Sequence, residues 1–306
     1  MADKLEHRPN YRFIYAKYRC GSNWLLYIVQ LILSGATNTR PVNDIDYIME
    51  INGRQVLGAT HRKMLGRQSV RIDNTSASDN TSNNNSNNNM TKEEEVVVFK
   101  RFQSIDTLTT DSKARYLLLM RNPKDVLIAY YVLKLKTLKL RHPELNIAET
   151  DDYKLFGRLL DYWLSDEFER KWGYFAYYRH YWQYRHLMIP NFYVLTYETM
   201  KRQPRTAIET IAKFLGHTYH KQLNQVLNTM TGETLLDRIE RLSTINIMKP
   251  IFDRQDNRKV RKGMIGDWRT YLTREQSDAI DRRIAREWSG TGLEFLWEQE
   301  MKWIDK

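Results

Sequence analysis

Cysteine is nearly absent from this sequence. A single residue, Cys20, stands in 306, which excludes any intramolecular disulfide framework and fits a reducing compartment. Long apolar runs are missing too. The longest, Leu25 to Leu33, is interrupted by Gln30 and is far too short to span a bilayer. The opening MADKLEHRPNYR has no apolar signal core, so secretion is not expected and a cytoplasmic protein is. The phosphate-loop spacing GxxxxGK[ST] does not occur. His217 and His220 have no cysteine or carboxylate cluster around them, so no metal site is expected.

What the chain does have is a core and a charge. Hydrophobic residues make up 42% and aromatics 12%, ample material for packing, and the formal charge is +11. That excess implies an anionic partner: a phosphate ligand, nucleic acid or an acidic membrane surface. The basic, aromatic stretch YFAYYRHYWQYRH reads as a packing helix, and no nucleic-acid partner is expected.

One segment stands apart. Residues 73–90, with the tract DNTSASDNTSNNNSNNN at their heart, contain almost nothing to bury and read as a disordered surface insertion. Around it strands and helices alternate. Strands are predicted at Phe13–Ala16, Glu95–Phe102, Tyr116–Met120 and Asn191–Thr196. Helices are predicted at Asn23–Ser34, Lys124–Leu140, Asp166–Arg185 and Arg205–Leu215, the last ended by Gly216. This alternation predicts an α/β fold of three layers, a central parallel sheet covered on both faces, as one domain over 1–306.

Four segments carry chemistry. In YRCGSNW the strand ends in a turn where Gly21 lets the backbone approach a ligand, Ser22 and Asn23 can donate, and a helix N-terminus follows. It is a phosphate-binding turn without the usual loop spacing. RNPKDV places Arg121 at the carboxyl end of a buried strand, where open α/β sheets bind ligands. YETM holds the same topological place after NFYVLT, and RKGMIGDW is a glycine-spaced basic loop suited to an anion.

In this order and spacing the four segments resemble the cytosolic sulfotransferase family, whose motifs read YPK[SC]GTTW, RNPKDVxVSYY, YEDM and RKGxxGDWK. The resemblance runs from about Phe13 to Leu296. It implies a protein that binds 3′-phosphoadenosine 5′-phosphosulfate (PAPS) as co-substrate and moves its sulfuryl group to a hydroxyl or amine of a small acceptor. By the same resemblance Arg19, Gly21, Ser22 and Asn23 hold the 5′-phosphate, and Trp24 and Tyr197 flank the adenine. Arg121, Arg261, Lys262 and Gly263 hold the 3′-phosphate, while Ser243, Ile245 and Met248 make a further adenine contact.

The chain departs from the family at the catalytic positions. Arg19 stands where the family places a lysine. It keeps the charge and the role of stabilising the leaving phosphate but cannot give up a proton. Lys17 is an alternative occupant that requires a two-residue slip. A family serine aligns with Ala129. The family's general-base histidine aligns with Phe102, or with Phe99 if the connection is longer, and His61 lies too close to the turn to replace it. Losing a base typically costs ~10²–10⁴ in rate. Two readings follow: a slow sulfotransferase, acting on hydroxyls that include phenols, or a catalytically inactive paralogue that binds nucleotide or a hydrophobic ligand. The family's dimer strip appears as Arg269, Thr273, Arg274 and Asp278, so at most a weak homodimer is expected. Gly35 to Val98 and Leu140 to Arg170 read as variable loops around the acceptor.

Overall fold

Strands β1 (Tyr11–Ala16) and β5 (Arg115–Met120) are continuous apolar runs, and both are buried on their two faces. Such runs suit parallel strands covered by helices above and below. A computed structural model describes residues 9–36, 46–51, 54–59, 97–101, 113–142, 144, 149–188, 190–216, 233–248 and 263–304. In it β1 pairs in parallel with β4 (Val97–Arg101) and with β5, and β5 with β6 (Phe192–Thr196). The six-stranded order is β3-β2-β4-β1-β5-β6.

The sheet is not wholly parallel. Strands β2 (Asp46–Ile51) and β3 (Arg54–Ala59) form an antiparallel pair at its edge, inside the stretch expected to be loop.

Register decides which residues share a face. Phe13, Tyr116 and Phe192 lie side by side across three strands, and the rings of Phe13 and Tyr116 stack at 5.3 Å. Tyr181 of helix α5 (Tyr174–Tyr184) closes this face, stacked on Phe192 and 4.9 Å from Tyr15. On the opposite face Tyr193 meets Phe214 of α7 (Pro204–Leu215) at 5.5 Å. Helix α7 packs with α1 (Ser22–Leu33) and α8 (Leu235–Met248). Two helical layers thus enclose the sheet, each fully buried Phe or Tyr contributing about 1.5–3 kcal/mol of apolar burial.

The helix predicted over Asp166–Arg185 is two helices, α4 (Asp166–Trp172) and α5. Gly173 between them is left-handed at φ +54°, and the Glu169 carboxylate accepts from the N–H groups of Phe175 and Ala176. That carboxylate caps α5 in place of a continuous turn. Helix α2 (Pro123–Arg141) follows β5, α3 (Glu149–Leu164) occupies part of the other stretch expected to be loop, and α6 (Tyr197–Arg202) follows β6. Two helices end the described chain, α9 (Arg274–Trp288) and α10 (Glu298–Met301). No helix among the described residues is long and apolar enough to cross a membrane.

Candidate functional site: a phosphate turn braced by two strand ends

The turn after β1 is tightly constrained. Arg19 adopts φ +70° and Gly21 φ +92°, so two left-handed residues reverse the chain within three positions. The first is a non-glycine and costs about 1–2 kcal/mol. It is held from outside: the Arg121 guanidinium donates through Nη1 to the Arg19 carbonyl at 3.1 Å. Cys20 is wholly buried, its Sγ 3.0 Å from the Tyr178 hydroxyl. Burial pushes its thiol up to about 12, so it is a packing residue rather than a nucleophile. Tyr178 also accepts from the Lys17 N–H and donates to the Leu119 carbonyl. Helix α1 then starts at Ser22 with no side-chain cap and no acidic residue in its first turn, a helix end open to an anion.

Arg121 leaves β5 at its carboxyl end, and only 5% of it is exposed. Its Nε and Nη2 have no hydrogen-bond partner among the described residues, while the guanidinium lies 4.1 Å over the Tyr197 ring. Such a cation is costly to bury unless a ligand completes it. The rest of RNPKD builds the frame. Asn122 caps α2 by accepting from the Lys124 N–H at 2.9 Å. The Lys124 ammonium is buried among Ser277, Asp281 and the Met301 carbonyl, 4.4 Å over the Trp268 ring. The Asp125 carboxylate accepts from the N–H groups of Gly266 and Trp268, tying the GDW segment to the first turn of α2.

Tyr197 sits at the centre. Its hydroxyl donates to the Gly263 carbonyl at 2.7 Å, its ring meets Trp24 edge-on at 5.7 Å, and a Cβ on Gly21 would lie 2.7 Å from its Cδ2. Next to it Glu198 is buried, accepting from the Asn122 N–H and the Trp297 indole. Burial pushes its carboxyl above the usual range. The Trp24 indole N–H is buried without a partner among the described residues.

Arg19, Gly21, Ser22, Asn23, Trp24, Arg121, Tyr197 and Gly263 therefore belong to one constellation at the carboxyl edge of the sheet. Arg261, Lys262, Phe102, His61, His217, His220 and the insertion 73–90 lie outside the described residues, as do the side chains of Ile245 and Met248. Ser243 is buried in α8 and donates to the Glu240 carbonyl within its own helix. The Arg19 Nε donates to the carbonyl of Ala129, so those two aligned positions do touch. Lys17 points elsewhere, its Nζ on the Trp172 carbonyl at 2.7 Å and 4.5 Å over the Tyr177 ring. The residues that hold the frame, Asn122, Lys124, Asp125 and Glu198, were not among the expected site residues. Their sequence signal is the motif itself, which carries more polar residues than one ligand contact needs.

This geometry has relatives. A macaque (Macaca fascicularis) sulfotransferase 2A1 is 26% identical over 194 residues, 61% of each chain. A rabbit (Oryctolagus cuniculus) amine sulfotransferase is 29% identical over 192 residues, 61% of this chain and 59% of its own. The chain spans about three fifths of the length of these curated relatives. Among solved structures, mouse sulfotransferase SULT7A1 complexed with PAP superposes with a TM-score of 0.57 at 15% identity, covering 98% of this chain and 92% of that one. Retinol dehydratase in complex with androsterone and PAP gives 0.56 at 16%, covering 94% and 83%. At such identity the likeness is one of fold. The profile of the Sulfotransferase domain family matches residues 10–292, from the residue before β1 to beyond α9, and with the turn, both strand-end motifs and the GDW segment inside that match the chain belongs to this family.

Proposed function

We propose that this chain binds PAP and PAPS at the carboxyl edge of its sheet and transfers a sulfuryl group to a hydroxyl of a small acceptor, phenols included. The observation that carries the proposal is Arg121: a buried guanidinium with two nitrogens, Nε and Nη2, unpartnered among the described residues, laid on an aromatic ring beside a helix N-terminus. Planar forks of this kind suit phosphate oxygens. Arg19, Gly21, Ser22 and Asn23 would hold the 5′-phosphate, Arg121 with Arg261, Lys262 and Gly263 the 3′-phosphate, and Trp24 and Tyr197 the base. The bound PAPS supplies an activated sulfuryl group. The chain orients it, and Arg19 compensates charge on the departing phosphate.

Calorimetry with PAP tests this. Micromolar binding is expected for the wild type. Arg121→Ala should weaken it about 10- to 100-fold, the ~1.5–3 kcal/mol of hydrogen bonds to charged groups, and Arg261→Ala should weaken it likewise. Arg121→Lys, a cation without the fork, should recover only part. Wild-type protein that ignores PAP refutes the proposal.

A second reading, a nucleotide-binding paralogue without turnover, is favoured by one feature. The Arg19 side chain is held on the Ala129 carbonyl, where the family keeps a hydroxyl. Turnover of a phenol with PAPS separates the readings. Either way the unit is one sulfotransferase-like domain with an insertion at 73–90, acting in the cytoplasm. Arg269 donates to the Glu300 and Lys302 carbonyls and Thr273 caps α9. That use of the 269–278 strip within one chain supports a weak homodimer at most.

A further inference from the structure

Segment 297–303 contributes no ligand contact to the site as described, and it lies beyond the family match, which ends at residue 292. It is nonetheless bonded to each of the three motifs that follow the phosphate turn. The Trp297 indole, 2% exposed, donates to one oxygen of the Glu198 carboxylate at 2.8 Å. The other oxygen accepts from the Asn122 N–H at 3.0 Å. One indole thus fixes the residues directly after Tyr197 and Arg121, whose ring and guanidinium lie on each other.

The rest of the segment pins the third motif. Helix α10 is a single turn, and the last carbonyls of a helix have no partner within it. Here three consecutive carbonyls, at Glu300, Met301 and Lys302, take their donors from elsewhere in the chain. Glu300 accepts from the Trp268 indole at 3.1 Å and from Arg269 at 3.0 Å. Met301 accepts from the buried Lys124 ammonium at 2.9 Å, and Lys302 from Arg269 at 2.7 Å. Cations on helix carbonyls are also matched in charge. The Glu300 side chain pairs with Arg202 at the end of α6, and the Trp303 ring lies 5.9 Å from that of Trp268. RNPKD, YETM and the GDW segment, far apart in sequence, are therefore bonded to one further piece of chain.

We propose that segment 297–303 positions the 3′-phosphate contacts, setting the spacing between Arg121 and the loop at Gly263 through Glu198, Lys124 and Trp268. This rests on the PAP-binding reading above. Donors gathered from separate pieces of chain grip one phosphate only if their spacing is held by a supporting shell. The 5′-phosphate contacts lie on the turn after β1, outside the three pinned motifs, so the influence of the segment falls on the 3′-phosphate. By linkage, a ligand that needs this spacing steadies the segment in return.

The test compares PAP with adenosine 5′-phosphate, which lacks only the 3′-phosphate, by calorimetry on the full chain. Trp297→Phe keeps a ring and removes the donor to Glu198. Arg269→Ala releases the Glu300 and Lys302 carbonyls from a half-buried side chain. Each should lower PAP affinity about tenfold and adenosine 5′-phosphate affinity by no more than about threefold, within the usual range of coupling between sites. Arg269→Lys, which can still reach one carbonyl, should recover part of the loss. In the wild type, PAP should slow amide hydrogen exchange across 297–303 more than adenosine 5′-phosphate does. A general loss of packing would weaken both nucleotides alike, so equal losses overturn the proposal, as does unchanged PAP affinity in both variants. Exchange across 297–303 that PAP leaves unaltered overturns it too. If Trp297→Phe folds poorly, Arg269→Ala and the exchange measurement decide. Wild-type protein that ignores both nucleotides overturns the nucleotide reading itself, and this one with it.

Discussion

The Tyr197 hydroxyl donates to the Gly263 carbonyl across 2.7 Å, joining α6 to the loop that leads into the GDW segment. Through its ring the same residue supports Arg121 and packs against the phosphate turn. Removing only the hydroxyl separates these roles. Tyr197→Phe should cost about 0.5–1.5 kcal/mol, appearing as a drop in PAP affinity of up to about tenfold with little change in Tm. Tyr197→Ala removes the platform for Arg121 and should abolish measurable binding.

Gly21 and Gly290 offer a matched pair. Both are left-handed, at φ +92° and +75°, but a Cβ on Gly21 meets the Tyr197 ring at 2.7 Å whereas one on Gly290 meets nothing within 4 Å. Gly290→Ala should show backbone strain alone, about 1–2 kcal/mol. Gly21→Ala should cost more and also lose PAP binding, since the ring must move. Thermal melts and calorimetry on the two variants measure the difference.

Asp125 holds two backbone N–H groups of the GDW segment. Asp125→Ala leaves both without an acceptor and should destabilise by about 2–6 kcal/mol, at about 1–3 for each orphaned donor. Asp125→Asn keeps one acceptor and should fall between. Urea unfolding midpoints rank the three proteins.

A pH dependence is expected at the α7–α8 junction. Asp237 is held down to about 2, first by the Thr234 hydroxyl and then by Arg205. Its folded value lies below the unfolded one of about 3.9, so its contribution is fully present above that value. It fades as pH falls towards 2. Asp237→Asn should therefore be less stable than wild type at pH 7 and indistinguishable from it below pH 2, as urea midpoints across pH will show.

The sequence made the central strands legible because they are unbroken apolar runs. β1 and β5 exceed their predicted bounds only at the amino end, where Arg12 and Arg115 lie side by side. The helix predicted over 166–185 failed at Gly173, because the cap that breaks it comes from Glu169, four residues earlier, and periodicity does not register caps. The edge pair β2–β3 was hidden in a stretch read as loop because of the asparagine- and serine-rich tract that follows it. Its overlooked signal is the dipeptide Asn52-Gly53 between DYIMEI and RQVLGA, a sequence that favours two-residue hairpin connections.

At the site, motifs announced which residues converge but not how they divide the work. That Arg121 keeps Nε and Nη2 without a partner among the described residues while Lys124 is consumed by Ser277, Asp281 and the Met301 carbonyl depends on which way each side chain leaves the chain just after β5. Two cations three residues apart look alike in a sequence. Only packing tells the binder from the brace.

Cys20 has a practical consequence. It is the only thiol in the chain, buried at the bend of the phosphate turn against Tyr178. An alkylating reagent can reach it only when that turn opens. The rate at which the intact protein takes up one label is therefore a clock for the turn's opening. Any ligand that closes the turn should slow that clock, without a probe having to be engineered in.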